Sequence, residues 1–76
     1  MDVVGTFLQE CCKPDRMARP AISALYGAFD AWRKRTGEQE MSQRAFGQCL
    51  AERGYERARL NDGKHAFKGL SLIPED

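Results

Sequence analysis

Apolar residues recur along this chain at helical spacing three times and then change to a strand-like alternation. Val3, Val4, Phe7, Leu8, Cys11 and Cys12 recur at helical spacing, with the chain turning by ~100° per residue. Asp2 stands where an N-cap belongs and Pro14 where a helix must stop, so a first helix is predicted over about residues 2–13. Pro20 suits the first turn of a second helix, because the N–H it lacks would be unpaired there. Ile22, Leu25, Tyr26, Phe29 and Trp32 then form a continuous apolar stripe, and a helix is predicted over about 20–36. Arg33, Lys34 and Arg35 complement its C-terminal dipole, and Gly37 supplies a left-handed ending. In the loop between these helices Met17 is the one strongly apolar residue, and a brief edge strand is expected around it.

A third helix, about 42–53, is marked by its cap. Ser42 can accept a first-turn N–H, Met41 and Phe46 have the spacing of a hydrophobic staple, and Gly54 can end the helix. Phe46, Cys49, Leu50 and the stem of Arg53 share one face, with Arg44, Gly47, Gln48 and Ala51 on the other. After Gly54 the pattern becomes extended. Tyr55, Arg57 and Arg59 share a strand face, Asn61, Asp62 and Gly63 form a turn, and His65 to Leu72 return, giving a wing hairpin over about 55–72. Phe67, Leu70 and Leu72 do not fall on one period-2 face, so a bulge is expected near Gly69. An acidic tail, 73–76, completes a single predicted domain, 1–76. The expected fold is mainly α with a small β-hairpin, an α+β winged helix-turn-helix with three helices and a two- or three-stranded wing.

With 76 residues there is room for one small core. No apolar run reaches the ~20 residues needed to cross a bilayer, and the N-terminus lacks the pattern of a secretion signal, so a soluble, cytoplasmic protein without membrane partners is expected. Three cysteines, Cys11, Cys12 and Cys49, are odd in number and lack the spacing of a disulfide scaffold; reduced thiols are expected. The net charge of +1 hides an asymmetry, since from residue 33 to residue 72 nine basic residues face five acidic ones. That excess lies in the helix and hairpin, where a polyanion would dock.

In a winged helix the third helix enters the major groove and the wing reaches neighbouring backbone. Arg44 and Gln48 have the paired donors and acceptors that suit guanine and adenine, while Gly47 and Ala51 are small enough for close approach. Ser42 and Gln43, at the helix N-terminus, are placed for phosphate. Arg57, Arg59, Lys64 and Lys68 would line the wing and supply affinity without sequence information, each releasing a counterion. The competing reading of these charges is an ordinary solvated surface.

Other chemistry is weaker in the sequence. Cys11, Cys12, Cys49 and His65 contain no C-x-x-C pair, and Cys12 and Cys49 are read as packing residues, so no metal or other cofactor is expected. His65 is read as a solvent-facing or phosphate-adjacent wing residue. No nucleophile with a base, paired carboxylates or phosphate-binding glycine loop can be assembled, so the isolated chain is not expected to be an enzyme.

The segments FLQECC and LYGAFDAWRKRTGEQEMSQRAFGQCLAERGYERARLNDGKHAFKGLSL resemble the C-terminal domain of phage and plasmid primase-helicases, the group related to the poxvirus primase-helicase. The resemblance runs from about Val4 to Leu72. It is most specific at Leu25, Tyr26, Phe29, Trp32, the segment 41–50, Arg53, Gly54, Tyr55, Gly69 and Leu72. It implies a winged-helix module appended to a helicase and used to bind origin or template DNA in replication. No G-x-x-x-x-G-K-[ST] and no primase metal-binding carboxylates occur here, so ATPase and primase activity are not implied for this chain. Three alternatives remain open. The first is a module that docks helicase or primase domains or another replication partner through the first helix; the second is a free-standing phage transcriptional regulator. The third is a single-strand binder, which would need an exposed Tyr55 for base stacking.

Overall fold

The computed structural model describes residues 2–73. Its elements are α1 (Val3–Cys11), β1 (Cys12–Asp15), α2 (Ile22–Thr36), α3 (Gln43–Glu52), β2 (Glu56–Arg59) and β3 (His65–Leu72). The strands form one antiparallel sheet in the order β1-β3-β2. This is an α+β arrangement of three helices and a three-stranded sheet, compatible with a winged-helix layout.

The predicted helices are present, with boundaries shifted where the sheet needs backbone. Cys12, expected to extend the first helix, is already extended, and its strand pairs with the end of β3 from Cys12↔Leu72 to Asp15↔Gly69. The edge strand is therefore Cys12–Asp15, and Met17 lies outside it, 88% exposed in a turn where Asp15 Oδ1 accepts its N–H at 3.0 Å. Pro14 is tolerated because this strand is an edge. The second helix begins at Ile22, because Pro20 and Ala21 are used by the sheet. The Pro20 carbonyl accepts the Phe67 N–H at 3.2 Å, and Ala21 bridges to Ala66. Without them this part of β3, beyond the reach of β1, would leave a buried N–H unpaired.

The third β-strand has two halves with different partners. Its first half pairs with β2, from Glu56↔Lys68 to Arg59↔His65, and its second half with β1. The second half begins at Gly69, which pairs with Asp15 and stands at φ 93°, a left-handed backbone at the place where a bulge is expected. It lets Phe67 and Leu70, of opposite strand parity, both reach the core at 2% and 1% exposure.

Aromatic rings fill the centre. Phe7, Phe29 and Phe46 are fully buried, with Phe29 and Phe46 centroids 4.9 Å apart and Phe7 edge-on to Phe29 at 5.4 Å. Val4, Phe7 and Leu8 of α1 belong to this cluster, while Thr6, Gln9 and Glu10 face outward. Core packing thus accounts for the apolar spacing of α1. Asp2 caps the helix, accepting the Gly5 N–H on Oδ1 at 3.1 Å, and its other oxygen binds the Arg53 guanidinium. Residues 74–76 of the expected acidic tail lie outside the described residues. Among those described, no helix is long and apolar enough to cross a membrane.

Candidate nucleic-acid interface

The third helix is fixed at both ends by local chemistry. Ser42 Oγ accepts the Ala45 N–H at 3.1 Å, and the Tyr26 hydroxyl donates to the Met41 carbonyl at 2.6 Å, tying the start of α3 to α2. At the other end, the Gly54 N–H reaches the Ala51 carbonyl at 3.1 Å and the Tyr55 N–H reaches Leu50 at 3.3 Å. That is a Schellman closure, made possible by Gly54 at φ 94°. It sends the chain directly into β2.

The hairpin is held equally firmly. The Leu60 N–H donates to the Lys64 carbonyl at 2.8 Å, Gly63 turns back to Leu60 at 2.9 Å, and Asp62 Oδ1 accepts the Lys64 N–H at 3.1 Å. The Asn61–Asp62–Gly63 turn is as expected from the sequence. Direct cross-strand partners share a face, so Arg57 with Phe67 and Arg59 with His65 occupy one side. Glu56 with Lys68 occupies the other. Phe67 is buried, which turns the first face toward the helices, and the Arg57 guanidinium lies over its ring, 5.9 Å from the centroid.

A groove results between α3 and the wing. Gln43, Arg44 and Gly47 form one wall, Arg57, His65 and Phe67 the other, and Ile22 lies at the N-terminus of α2. An adjoining depression adds Ser23 and Lys64 beside Gln43 and His65. Arg44, Arg57, Arg59 and Lys64 have no carboxylate partner among the described residues. Some other cations are neutralised: Arg33 and Lys34 both pair with Asp30, at 2.8 and 3.2 Å, and Arg53 pairs with Asp2. The Arg53 hydrogen bond, followed by the Gly5 N–H, lowers the Asp2 carboxyl below its ordinary value, while the Lys34 hydrogen bond is the main cause lowering Asp30.

Of the predicted site residues, the groove and its adjoining depression bring together Gln43, Arg44, Arg57 and Lys64. Arg59 is exposed on the same hairpin face. Ser42 is committed as acceptor to its own helix, although its O–H remains a donor. Gln48 is exposed one turn beyond Arg44 and lies outside the groove lining. Lys68 faces the opposite side, 3.9 Å from Glu56. Gly47 also differs from its expected role. It is buried, and a Cβ there would stand 2.8 Å from Ile22 Cδ1, so its small size serves the contact between α2 and α3.

His65, read from the sequence as a solvent-facing or phosphate-adjacent wing residue but not counted among the DNA contacts, faces both the groove and the depression. Its signal was its parity with Phe67, whose burial carries His65 to the same face. The cysteines form no metal cluster: among the described residues no three His, Cys, Asp or Glu side chains are grouped to hold an ion. Burial, with a smaller contribution from Cys11, pushes the Cys12 thiol up to about 11.

Residues 1–68 match the protein family described as Poxvirus D5 protein-like. The chain belongs to that family. The match takes in all three helices, the wing turn and every groove residue, ending at Lys68 halfway along β3. No curated protein matches the chain. For a member of the Poxvirus D5 protein-like family, the feature of this chain with the clearest chemical content is the unneutralised basic groove.

Proposed function

We propose that this chain is a double-stranded DNA-binding winged-helix module acting in DNA replication, the origin- or template-binding part of a phage or plasmid primase-helicase. It works by binding, and catalysis belongs to other parts of such an assembly. The observation that carries the reading is that Arg44 on α3 and Arg57, Arg59 and Lys64 on the wing collect on one side of the fold without carboxylate partners, while Arg33, Lys34 and Arg53 are paired elsewhere. Membership of the Poxvirus D5 protein-like family supports the replication context.

In this reading α3 lies against the major groove, with Arg44 directed at base edges and Gln48 beside it. Gln43 and the Ser42 hydroxyl meet phosphate at the helix N-terminus, and Arg57, Arg59 and Lys64 hold the adjacent backbone. Lys68 is left out of this contact set because it lies on the other hairpin face. Labelled duplex titrated at low and moderate salt tests the proposal: affinity should fall steeply with salt, and a salt-independent or absent signal overturns it.

A further inference from the structure

The hairpin face turned away from α3 carries a different set of groups. Arg16, from the turn after β1, lies beside Tyr55, Glu56 and Lys68, with Gly54 and Gly69 between them. Tyr55 packs partly on the core and is half-buried, with part of its ring on the depression, and a Cβ at Gly69 would lie 4.0 Å from that ring, in ordinary contact. Tyr55 and Gly69 thus border one open depression together with Arg16 and Lys68. Met17, next to Arg16, projects into solvent at 88% exposure, and Arg19 beyond it is also exposed.

We infer that Tyr55, Arg16 and Lys68 form a second site, specific for single-stranded nucleic acid, on the opposite side of the wing from the duplex groove. A single strand differs from a duplex in presenting unpaired base faces beside its phosphates. An accessible aromatic ring flanked by cations is the combination that binds it, and it tolerates any sequence because every base has a π-face. The duplex groove lacks this combination, since its aromatic residue, Phe67, is buried beneath Arg57. An acidic peptide would use the cations but would gain nothing from the ring. Glu56, exposed and 3.9 Å from Lys68, also weakens the site for a purely ionic ligand. Stacking therefore carries more of the binding here than charge does.

The test uses the whole chain with a fluorescein-labelled oligothymidine, in fluorescence anisotropy, against unlabelled duplex and a polyglutamate peptide. Tyr55→Ala should weaken oligothymidine binding about ten-fold or more, Tyr55→Phe should restore it, and Arg16→Ala should weaken it with a reduced salt slope. Arg57→Ala/Arg59→Ala should weaken it less than Tyr55→Ala does. Thermal melting of each variant separates loss of binding from loss of fold. Full displacement by duplex, equal loss in the Arg57→Ala/Arg59→Ala variant, or competition by polyglutamate as strong as by oligothymidine would each overturn the inference. Labelled duplex is titrated in its own series as well, so failure of this site is distinguishable from failure of the duplex reading.

Discussion

Removing Arg57 and Arg59 together tests the duplex groove most directly, because both are exposed and lie on its face of the hairpin. If Arg44, Arg57, Arg59 and Lys64 each neutralise one phosphate, the log-log dependence of affinity on salt has a slope of about −3.6. Between about 50 and about 200 mM salt, affinity should then fall roughly 150-fold. With Arg57→Ala/Arg59→Ala the slope drops to about −1.8 and the fall to roughly 12-fold. The variant should remain folded. The arginine packing lost is the Arg57 stack on Phe67 at 5.9 Å, worth about 0.5–1 kcal/mol at an exposed site, against a typical domain stability of about 5–15 kcal/mol. The assay is anisotropy of a labelled duplex across a salt series, with a thermal melt for each protein. Lys68→Ala is the internal control, because its side chain belongs to the other face and should leave the duplex slope unchanged. A wild-type slope shallower than about −2, or an equal loss of slope in Lys68→Ala and Arg57→Ala, would refute the assignment.

Three further outcomes follow from the packing. Gly47→Ala should change stability by less than about 0.5 kcal/mol, since a helix-propensity gain of about 1 kcal/mol offsets the displacement of the Ile22 δ-methyl. Gly47→Val should instead cost about 1–3 kcal/mol by overpacking, and urea melts of equal midpoint for Val and wild type would contradict this. The Asp2 carboxyl is held below 3.8 by Arg53 and the Gly5 N–H, so its contribution is complete above that value and is lost as pH falls through the lower folded value. Acid melts should therefore show a decline below about pH 4 that is smaller in Arg53→Ala, and identical profiles would reject the role given to the pair. Cys12, buried and with its thiol pushed up to about 11, should resist alkylation at neutral pH while the half-exposed Cys11 and Cys49 react. Equal labelling of all three in the folded protein, read by mass spectrometry, would argue against that burial.

What the chain's pattern made legible was whatever is set by neighbours in sequence. The stripe from Ile22 to Trp32, the Ser42 cap, the Gly54 closure and the Asn61–Asp62–Gly63 turn depend on residues within one helical turn or one hairpin loop, and all stand where expected. Misplaced features depended on distant partners. Pro20 reads as a helix start until the Phe67 N–H claims its carbonyl, and Cys12 reads as the end of a helix until Leu72 pairs with it. Gly47 reads as a place for DNA to approach until Ile22 occupies the space. In each case a contact more than ten positions away outweighed a sound local preference.

The division of the wing's charges has the same origin, but with a sharper condition. A strand's faces alternate, so which cations share a side depends on whether the hairpin loop has an odd or an even number of residues. In the observed register Arg57 opposes Phe67 and Arg59 opposes His65. Shifting the pairing by one would set Arg57 opposite Lys68 and bring both to one face. Composition and the turn signal are the same in either register, so neither decides between them. The deciding residue is Phe67: it is the large apolar side chain of the first half of β3, and its burial at 2% exposure selects the odd-numbered face for the core. His65, Arg57 and Arg59 follow it toward α3, and Lys68 is left with Glu56 on the other side, beside Arg16. A single buried ring thereby separates the wing's cations into two sets, and the two binding surfaces inferred for this domain both depend on that separation.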